Sequence, residues 1–233
     1  TGDGHAGCVG GGETVRLLDL FCGAGGAAAG YSRAGFDVAG VDIAPQPHYP
    51  FAFIQADALD YVREHGREFD VIHASPPCQA YSAARVIRGR EHPDLVAATR
   101  VALLDVARPF VIENVPGAPL LNPLVLCGTM FGLRVIRHRL FEVFPTPIWF
   151  PPSPCAHDGR ATGAGNRQPG RTNGFATGHT YITVVGNSYL MADGKAAMDI
   201  DWMNRHELSQ AIPPAYTEWI GRQLLRQLEA QAA

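Results

Sequence analysis

The residues with the clearest chemical potential in this sequence are a cysteine and a glutamate, each close behind a short apolar run. Cys78 stands in ASPPCQAYS, directly after two prolines, and Glu113 stands in FVIENV. The prolines remove two backbone donors and stiffen the turn, so the thiol is held where a substrate could meet it. A thiolate is the nucleophilic form of cysteine, and a carboxylate after an apolar run is costly unless it is paired or functional. The sequence therefore predicts a nucleophile and a carboxyl group at neighbouring strand ends.

A second group of candidate residues surrounds the glycine-rich stretch DLFCGAGG. Gly23 and Gly25 follow a predicted strand and precede a predicted helix, where the backbone can approach a ligand closely. Asp42 ends the next predicted strand, where nucleotide-binding α/β folds place the carboxylate that accepts hydrogen bonds from ribose. Asp57 ends the third predicted strand and can bond an adenine amine. Since the one lysine of the chain is Lys195, a phosphate-loop NTP site is disfavoured, and a nucleoside ligand without phosphates is predicted.

Composition indicates a soluble globular protein of 233 residues with one sizeable domain. No apolar run approaches the roughly 18 residues of a membrane helix, and the first 14 residues are expected to form a flexible leader that is not a signal peptide. Five cysteines without framework spacing favour free thiols in a reducing compartment. The tripeptide CAH could supply metal ligands. No paired C-x-x-C accompanies it, so the sequence predicts no metal site.

Positive charge is concentrated in the middle of the chain. Residues 79–171 carry eleven arginines against six acidic residues, although the whole chain has a net charge of −3. Codon bias can explain arginine in place of lysine but does not explain the clustering. Because arginine is suited to bidentate contacts with phosphate and guanine, this distribution favours a nucleic-acid partner.

Apolar runs in the first half of the chain alternate with helical patterns. The predicted strands cover residues 14–21, 36–43, 51–57, 69–74 and 109–115. The predicted helices between them cover residues 27–35, 58–66 and 93–107. Such alternation predicts a doubly wound α/β fold with a parallel sheet, in which ligands bind beyond the carboxyl ends of the strands.

The second half of the chain follows a different pattern. Residues 128–144 alternate like antiparallel strands, residues 145–180 show little periodicity, and YITVVG (181–186) is predicted as a strand. Two helices are predicted at 204–212 and 214–230.

Four short motifs now identify a resemblance. DLFCGAGG, SPPCQ, ENV and RHRLF, in this order, resemble motifs I, IV, VI and VIII of the cytosine-5 DNA methyltransferases, and the closing DWMNRHELSQAIPPAYTEWIGRQLL resembles the last blocks of small phage and bacterial members. The resemblance covers residues 15–143 and roughly 197–228. In the aligned motif VIII, Val135 stands where glutamine is common.

The resemblance implies a Rossmann-like S-adenosylmethionine-dependent methyltransferase fold with a small target-recognition region. We expect a leader over 1–14, a catalytic and cofactor-binding domain over 15–144, the recognition region over 145–196, and a C-terminal helical segment over 197–233 that packs back on the catalytic domain. S-adenosylmethionine is the implied cofactor. The residues implied to bind it are Phe21, Gly23, Gly25, Asp42, Ile43, Asp57, Pro77 and Gln210.

The resemblance also implies the roles of four catalytic residues. Cys78 would add to carbon 6 of a cytosine flipped out of duplex DNA. Glu113 would hold N3 and the exocyclic amine and supply a proton to N3. Arg139, together with Arg137, would contact the cytosine O2. Loss of the carbon 5 proton after methyl transfer would then expel Cys78.

Further arginines and an asparagine are expected to contact DNA. Three lie in the stretch after the nucleophile, which resembles a mobile catalytic loop. The others lie in the recognition region and have side-chain types that read base edges. The predicted DNA-binding residues are Arg85, Arg88, Arg90, Arg160, Asn166, Arg167 and Arg171.

Cys22 and Cys127 are predicted to be small packing residues rather than nucleophiles. Two other readings stay open at this point: a tRNA cytosine-5 methyltransferase of the same family, and a catalytically silent DNA-binding protein. The expected partner is double-stranded DNA, with a companion restriction endonuclease, phage self-protection and a solitary regulator as open roles. We expect a monomer without membrane association, in the cytoplasm of a bacterial or phage-infected cell and associated with the nucleoid.

Overall fold

The strands predicted in the first half of the chain pair into one parallel sheet. The computed structural model describes residues 14–81, 94–145, 152–157, 181–187 and 189–232. Its strands are β1 Arg16–Leu20, β2 Asp37–Asp42, β3 Ala52–Gln55, β4 Val71–Ala74, β5 Phe110–Asn114, β6 Leu124–Leu126 and β7 Arg139–Phe144. Among the described residues the sheet runs β3-β2-β1-β4-β5-β7-β6. β1 to β5 are parallel, and β7 is antiparallel to β5 and β6. The predicted doubly wound α/β fold is confirmed.

Helices cover both faces of this sheet. They are α1 Gly26–Ala34, α2 Ala58–His65, α3 Val96–Val106, α4 Met191–Met198, α5 Arg205–Gln210 and α6 Pro214–Ala232, with 3₁₀ turns at Gly66–Glu68 and Gly128–Phe131. α1 and α6 contribute to the core on one face, and α2 and α3 to the core on the other. The central strands are therefore buried on both sides, which explains their almost continuous apolar sequence.

The contact between α1 and α6 depends on a glycine. A Cβ atom at Gly30 would lie 2.1 Å from both the Pro214 oxygen and the Thr217 Oγ1. In the structure the Thr217 hydroxyl instead donates a hydrogen bond to the Ala27 carbonyl oxygen at 2.8 Å. This close approach holds the C-terminal helix against the helix that follows the glycine turn.

A third core cluster lies beside the carboxyl edge of the sheet. It joins Val135, Ile182 and Val184 to buried residues of 189–211, including Tyr189 and Met198. Val135 is fully buried and forms an isolated parallel bridge with Ile182. An apolar packing residue therefore occupies the position where the family commonly has glutamine.

Two sequence expectations differ from the structure in the second half of the chain. The predicted strand 181–186 is reduced to the bridge at Ile182. The alternating stretch 128–144 forms a 3₁₀ turn and one strand instead of several strands, because Gly132, with a φ of 72°, ends the turn and interrupts the extended chain. The sequence patterns did not predict β6 or α4. β6 has only three residues, and α4 contains Gly194, against which the Tyr189 ring packs.

In the described part of the chain no helix combines the length and apolar character needed to cross a membrane.

Candidate active site

The carboxyl ends of β1, β2, β4 and β5 meet at one edge of the sheet and carry most of the predicted site. Leu20 at the end of β1 pairs with Val41 and Ala74, and Ala74 pairs with Ile112. The glycine turn, Asp42, the Cys78 turn and Glu113 consequently follow or end four adjacent strands. Ligand sites of open α/β sheets form at this edge.

The glycine turn is built from unusual backbone conformations. Phe21, Gly23 and Gly25 have φ angles of 56°, 48° and 83°, in the left-handed region that favours glycine. A Cβ atom at Gly25 would lie 2.9 Å from the Pro50 Cδ, whereas one at Gly23 would meet nothing within 4 Å. The turn is thus tightly packed at Gly25 and open at Gly23, where a ligand can approach the backbone.

Asp42 links this turn to the end of β2. Its Oδ2 accepts a hydrogen bond from the Gly23 amide at 3.0 Å, and its Oδ1 accepts one from the Ala44 amide at 3.0 Å. These bonds fix the orientation of the carboxylate, and each oxygen retains a lone pair for a ribose hydroxyl. Ile43 follows immediately and is 71% exposed. An exposed isoleucine beside an anchored carboxylate suits a flat, apolar base attached to a ribose.

Asp57 and Gln210 are also predicted from the sequence to contact the cofactor. Asp57 is the N-cap of α2, where its Oδ1 accepts hydrogen bonds from the Leu59 and Asp60 amides, which leaves Oδ2 for a ligand. Gln210 is exposed at the end of α5, and its Nε2 lies 3.2 Å from the His206 Nε2. The next residues pack directly on the turn, since a Cβ at Gly26 would lie 2.5 Å from the Ile212 oxygen. The described residues therefore suit a nucleoside with a small charged extension.

The turn that carries Cys78 is fixed by three hydrogen bonds. The Ser75 amide donates to the Leu20 oxygen at 3.1 Å, and the Tyr81 amide donates to the Cys78 oxygen at 3.0 Å. The buried Asn114 side chain donates to the Pro76 oxygen at 2.9 Å. Asn114 is a positioning residue that the sequence prediction missed, although it lies within the ENV motif. Cys78 itself is half-buried.

Glu113 and Arg139 form a buried ion pair between β5 and β7. The Arg139 Nε lies 3.0 Å from the Glu113 Oε1, and their side chains are 15% and 8% exposed. Burial raises the pKa of Glu113 above its ordinary value, opposed by the charge of Arg139 and by a hydrogen bond from Ser75. The carboxyl group therefore keeps a proton to a higher pH than an exposed glutamate does.

The charges of Glu113 and Arg139 also influence the pKa of the Cys78 thiol. Burial raises its pKa above the ordinary value, the Glu113 carboxylate raises it further, and Arg139 and Arg137 lower it. The net effect favours the neutral thiol at rest. Neutralising Glu113 would remove the electrostatic contribution that disfavours the thiolate.

Arg137 uses its guanidinium in a different way. Its Nη1 donates to the Val184 oxygen at 2.9 Å and its Nη2 to the Ser209 oxygen at 2.8 Å. The Tyr216 hydroxyl donates to the Arg137 carbonyl oxygen at 2.6 Å. Burial, with the nearby Arg139, lowers the pKa of Arg137 to about 9. Arg137 therefore holds two distant backbone segments, while Arg139 alone pairs with Glu113.

A family model of C-5 cytosine-specific DNA methylases matches residues 15–121. The matched segment is just under half of the chain. The resemblance found in the sequence is confirmed, and the glycine turn, Asp42, Cys78 and Glu113 all lie within the matched methylase segment. Methylases of this family use S-adenosylmethionine, the cofactor predicted from the sequence.

A solved structure with a TM-score above 0.5 has a similar fold. A prophage-encoded Escherichia coli protein assigned as a DNA modification methyltransferase aligns with a TM-score of 0.62 and 15% identity, over 93% of this chain and 100% of that one. Smaller overlaps occur with Entamoeba histolytica EhMeth (TM-score 0.44, 15% identity, 62% of this chain and 58% of that one). The overlap with S. pombe Dnmt2 is similar (0.41, 16%, 59% and 52%). No match is found among curated protein sequences.

The methylase domain contains a buried relay that the sequence prediction missed. The Tyr31 hydroxyl lies 3.0 Å from the His73 Nδ1, and the His73 Nε2 lies 2.8 Å from the Ser75 Oγ. Ser75 in turn donates to Glu113. Burial lowers the pKa of His73 to about 3, so its neutral ring can accept from Tyr31 and donate to Ser75. The available signal was the polar His73 inside the apolar run FDVIHA.

Arg85, Arg88, Arg90, Arg160, Asn166, Arg167 and Arg171 lie outside the described residues. Cys22, predicted to be a packing residue, is 8% exposed within the core beside the methylase turn.

Proposed function

We propose that this chain is an S-adenosylmethionine-dependent DNA (cytosine-5) methyltransferase that acts through a covalent adduct of Cys78. The observation that carries the proposal is the convergence of Cys78, Glu113 and Arg139 at adjacent strand ends, within electrostatic reach of one another. The methylase family assignment supports the same reaction.

The residues at the glycine turn suit the cofactor of this family. The open face above Gly23 would receive the methionine part, together with Phe21 and Gly25. Asp42 would accept hydrogen bonds from the ribose, Ile43 would cover the adenine, and Asp57 would accept from its amine. Pro77 and Gln210 complete the proposed set. When bound, S-adenosylmethionine supplies a methyl group made electrophilic by its sulfonium.

Glu113 and Cys78 would divide the activation of the base between them. The Cys78 thiol would first lose its proton to solvent. The Glu113 carboxyl would then deliver a proton to cytosine N3 while the Cys78 sulfur bonds to carbon 6, which makes carbon 5 nucleophilic. Once carbon 5 carries the methyl group, loss of its proton to a water molecule would restore the ring as the carbon 6–sulfur bond breaks. Return of the N3 proton would regenerate the Glu113 carboxyl. Arg139 keeps the Glu113 carboxyl in place and faces the base, and Arg137 holds the surrounding backbone.

The pKa values give this coupling a physical basis. Glu113 is held by burial at a raised pKa, so a protonated form is accessible. That form is the one that can donate to N3. It also removes the negative charge that raises the pKa of Cys78. Protonation of Glu113 would thus prepare the acid and the nucleophile together.

Duplex DNA is the proposed substrate, inside a bacterial or phage-infected cell. The arginine-rich middle of the chain supports this choice, and we assign phosphate and base contacts to Arg85, Arg88, Arg90, Arg160, Asn166, Arg167 and Arg171.

Product analysis tests the substrate. The protein is incubated with methyl-labelled S-adenosylmethionine and either a random-sequence duplex pool or tRNA, and the digested products are examined by mass spectrometry. We expect 5-methylcytosine in DNA. Product in tRNA alone would assign the chain to the tRNA branch, and product in neither would favour a silent DNA-binding protein.

Trapping tests the covalent step. A duplex pool containing 5-fluorocytosine should form an adduct with the protein that survives denaturation, because fluorine cannot leave carbon 5 as a proton does. Cys78→Ala should abolish the adduct, while Cys8→Ser, a change at another cysteine, should retain it. An adduct that persists in Cys78→Ala would overturn the assignment of the nucleophile.

A further inference from the structure

Four side chains able to bind a metal converge beside β7, outside the residues assigned to methyl transfer. Their ligand atoms all lie within 4.8 Å of one another: the sulfurs of Cys127 and Cys155 and one ring nitrogen each of His138 and His157. They come from three separate parts of the described chain. Cys127 follows β6, His138 precedes β7, and the other two lie in the short segment 152–157.

The arrangement is close to that of a tetrahedral site. The Cys155 Sγ lies 3.7 Å from the His138 Nε2, and the two histidine rings are 5.3 Å apart and inclined at 66°. Zinc bonds to sulfur and nitrogen imply ligand-to-ligand distances of about 3.3 to 3.8 Å. The group therefore needs to contract by only about an ångström to enclose the ion.

Two separate observations support ligand binding by these side chains. Both ring nitrogens of His157 are shielded from solvent and find no hydrogen-bond partner among the described residues. Shielded polar atoms in native proteins are normally satisfied, and a metal bond would satisfy one of them. The Thr129 hydroxyl donates to the Cys127 Sγ at 3.6 Å, the kind of outer contact that supports a thiolate ligand.

We propose that Cys127, His138, Cys155 and His157 bind a structural zinc ion. Mixed sulfur and nitrogen ligands favour Zn²⁺ over Mg²⁺ or Ca²⁺, and two thiolates neutralise its charge. The two thiol protons are released to solvent on binding. Because the protein supplies all four ligands, no position remains for substrate, which distinguishes a structural site from a catalytic one.

The zinc ion would join the predicted recognition region to the catalytic edge of the sheet. His138 directly precedes Arg139, the partner of Glu113, and Cys155 and His157 flank Ala156, whose oxygen accepts a hydrogen bond from Tyr181 at 3.3 Å. The site thereby clamps segment 152–157 next to the residues proposed to activate cytosine. The sequence prediction missed it because Cys127 and His138 are distant in sequence from the CAH tripeptide.

Metal analysis of the full chain tests this proposal. We expect the reduced protein, after zinc addition and dialysis, to retain about one zinc ion per chain. Replacing zinc with Co²⁺ should give the intense visible bands of tetrahedral coordination and a thiolate charge-transfer band. Cys155→Ser and His157→Asn should each weaken retention by more than the roughly 10- to 100-fold effect of losing an outer contact.

Matched variants separate metal loss from misfolding. Cys78→Ala and His65→Asn, which change the same residue types outside the cluster, should retain zinc fully. His157→Cys should also retain it, with a stronger thiolate band from the added ligand. Zinc well below one per chain in the reduced wild type, or full retention in a Cys155→Ser/His157→Asn double variant, would overturn the proposal. So would a Cys127–Cys155 disulfide in protein purified under reducing conditions, seen as a loss of two mass units.

Discussion

The cofactor side of the sheet, around β1 and β2, and the target side, around β5 and β7, hold their functional groups by different means. On the cofactor side, the backbone conformation positions the functional groups. Gly23 and Gly25 shape the turn, and hydrogen bonds from the Gly23 and Ala44 amides orient the Asp42 carboxylate. On the target side, an ion pair between the largely buried side chains of Glu113 and Arg139 keeps both groups in position. The cofactor side therefore depends on local backbone geometry. The target side depends on an ion pair between residues that are distant in sequence.

This difference determines which substitutions should impair each side. A backbone site tolerates surface changes but not an added side chain at the ligand-facing glycine. A buried charge network fails when one member is removed, because the remaining charge loses its partner in a medium that solvates it poorly. The four predictions below test this contrast, from the largest expected effect to the smallest.

Removing Arg139 should produce the largest loss of stability. Arg139→Ala leaves Glu113 buried without its ion-pair partner, and we expect unfolding free energy to fall by about 3 kcal/mol. Urea denaturation without ligands measures it. Adding Glu113→Gln should recover much of the loss, since the uncompensated charge disappears. As a control, Arg33→Ala removes an exposed ion pair with Asp199 and should change stability by no more than about 0.5 kcal/mol. Equal losses in Arg139→Ala and Arg33→Ala would contradict the proposed contrast.

Gly23→Ala should affect the cofactor more than the fold. Its Cβ points into open space, where the cofactor is proposed to lie, so the affinity for S-adenosylmethionine should fall at least about tenfold, or 1.4 kcal/mol. Left-handed strain alone should reduce stability by about 1 kcal/mol. Gly132→Ala is the matched control, since Gly132 also has a positive φ and open space around its Cβ. Calorimetric titration should show weakened binding in Gly23→Ala only.

Tyr31→Phe tests whether the buried relay belongs to the charge network. The change leaves the His73 Nδ1 without its hydroxyl partner while it preserves the ring that packs in the core. We expect a loss of about 1 kcal/mol in unfolding free energy, together with a small fall in the methylation rate. Tyr61→Phe, a hydroxyl deletion at a half-buried tyrosine of α2, should leave the rate unchanged. A rate that is identical in wild type and Tyr31→Phe would show that the relay is structural only.

The smallest expected effect is a shift in a titration curve. Alkylation of Cys78 should increase with pH and reach half its maximum above the ordinary thiol range, since burial and Glu113 raise its pKa. Glu113→Gln should move the curve to lower pH because it removes a negative charge, and Arg139→Ala should move it to higher pH. Mass spectrometry of the Cys78 peptide separates this thiol from the others. Movement of both variants in the same direction would break the electrostatic assignment.

The sequence predicted the cofactor side well for a local reason. Each strand there is a short apolar run, and its functional residue follows within the same segment, so the position in sequence gives the position at the sheet edge. The predicted boundaries of β1, α1, β2 and α2 lie within two residues of the observed ones.

The target side was predicted less completely because its contacts connect distant residues. Arg137 is predicted to contact the base, and the structure adds that its Nη atoms donate to the backbone at Val184 and Ser209, 47 and 72 residues away. Cys127 is predicted to be a packing residue and is fully buried. The sequence does not show that Cys127 and His138 meet the two potential ligands of the CAH tripeptide, because these residues are distant in sequence.

The sequence by itself determined the order of strands and helices in the first half of the chain, the glycine turn, and the placement of a cysteine after two prolines and of a glutamate near neighbouring strand ends. These follow from hydrophobic periodicity and from the backbone preferences of glycine and proline, which act over a few residues. The tertiary structure alone decided that Arg139 pairs with Glu113, that His73 connects Tyr31 to Ser75, and that four separate cysteines and histidines meet beside β7. Such contacts depend on how chain segments far apart in sequence pack together, and burial then sets their charges and pKa values.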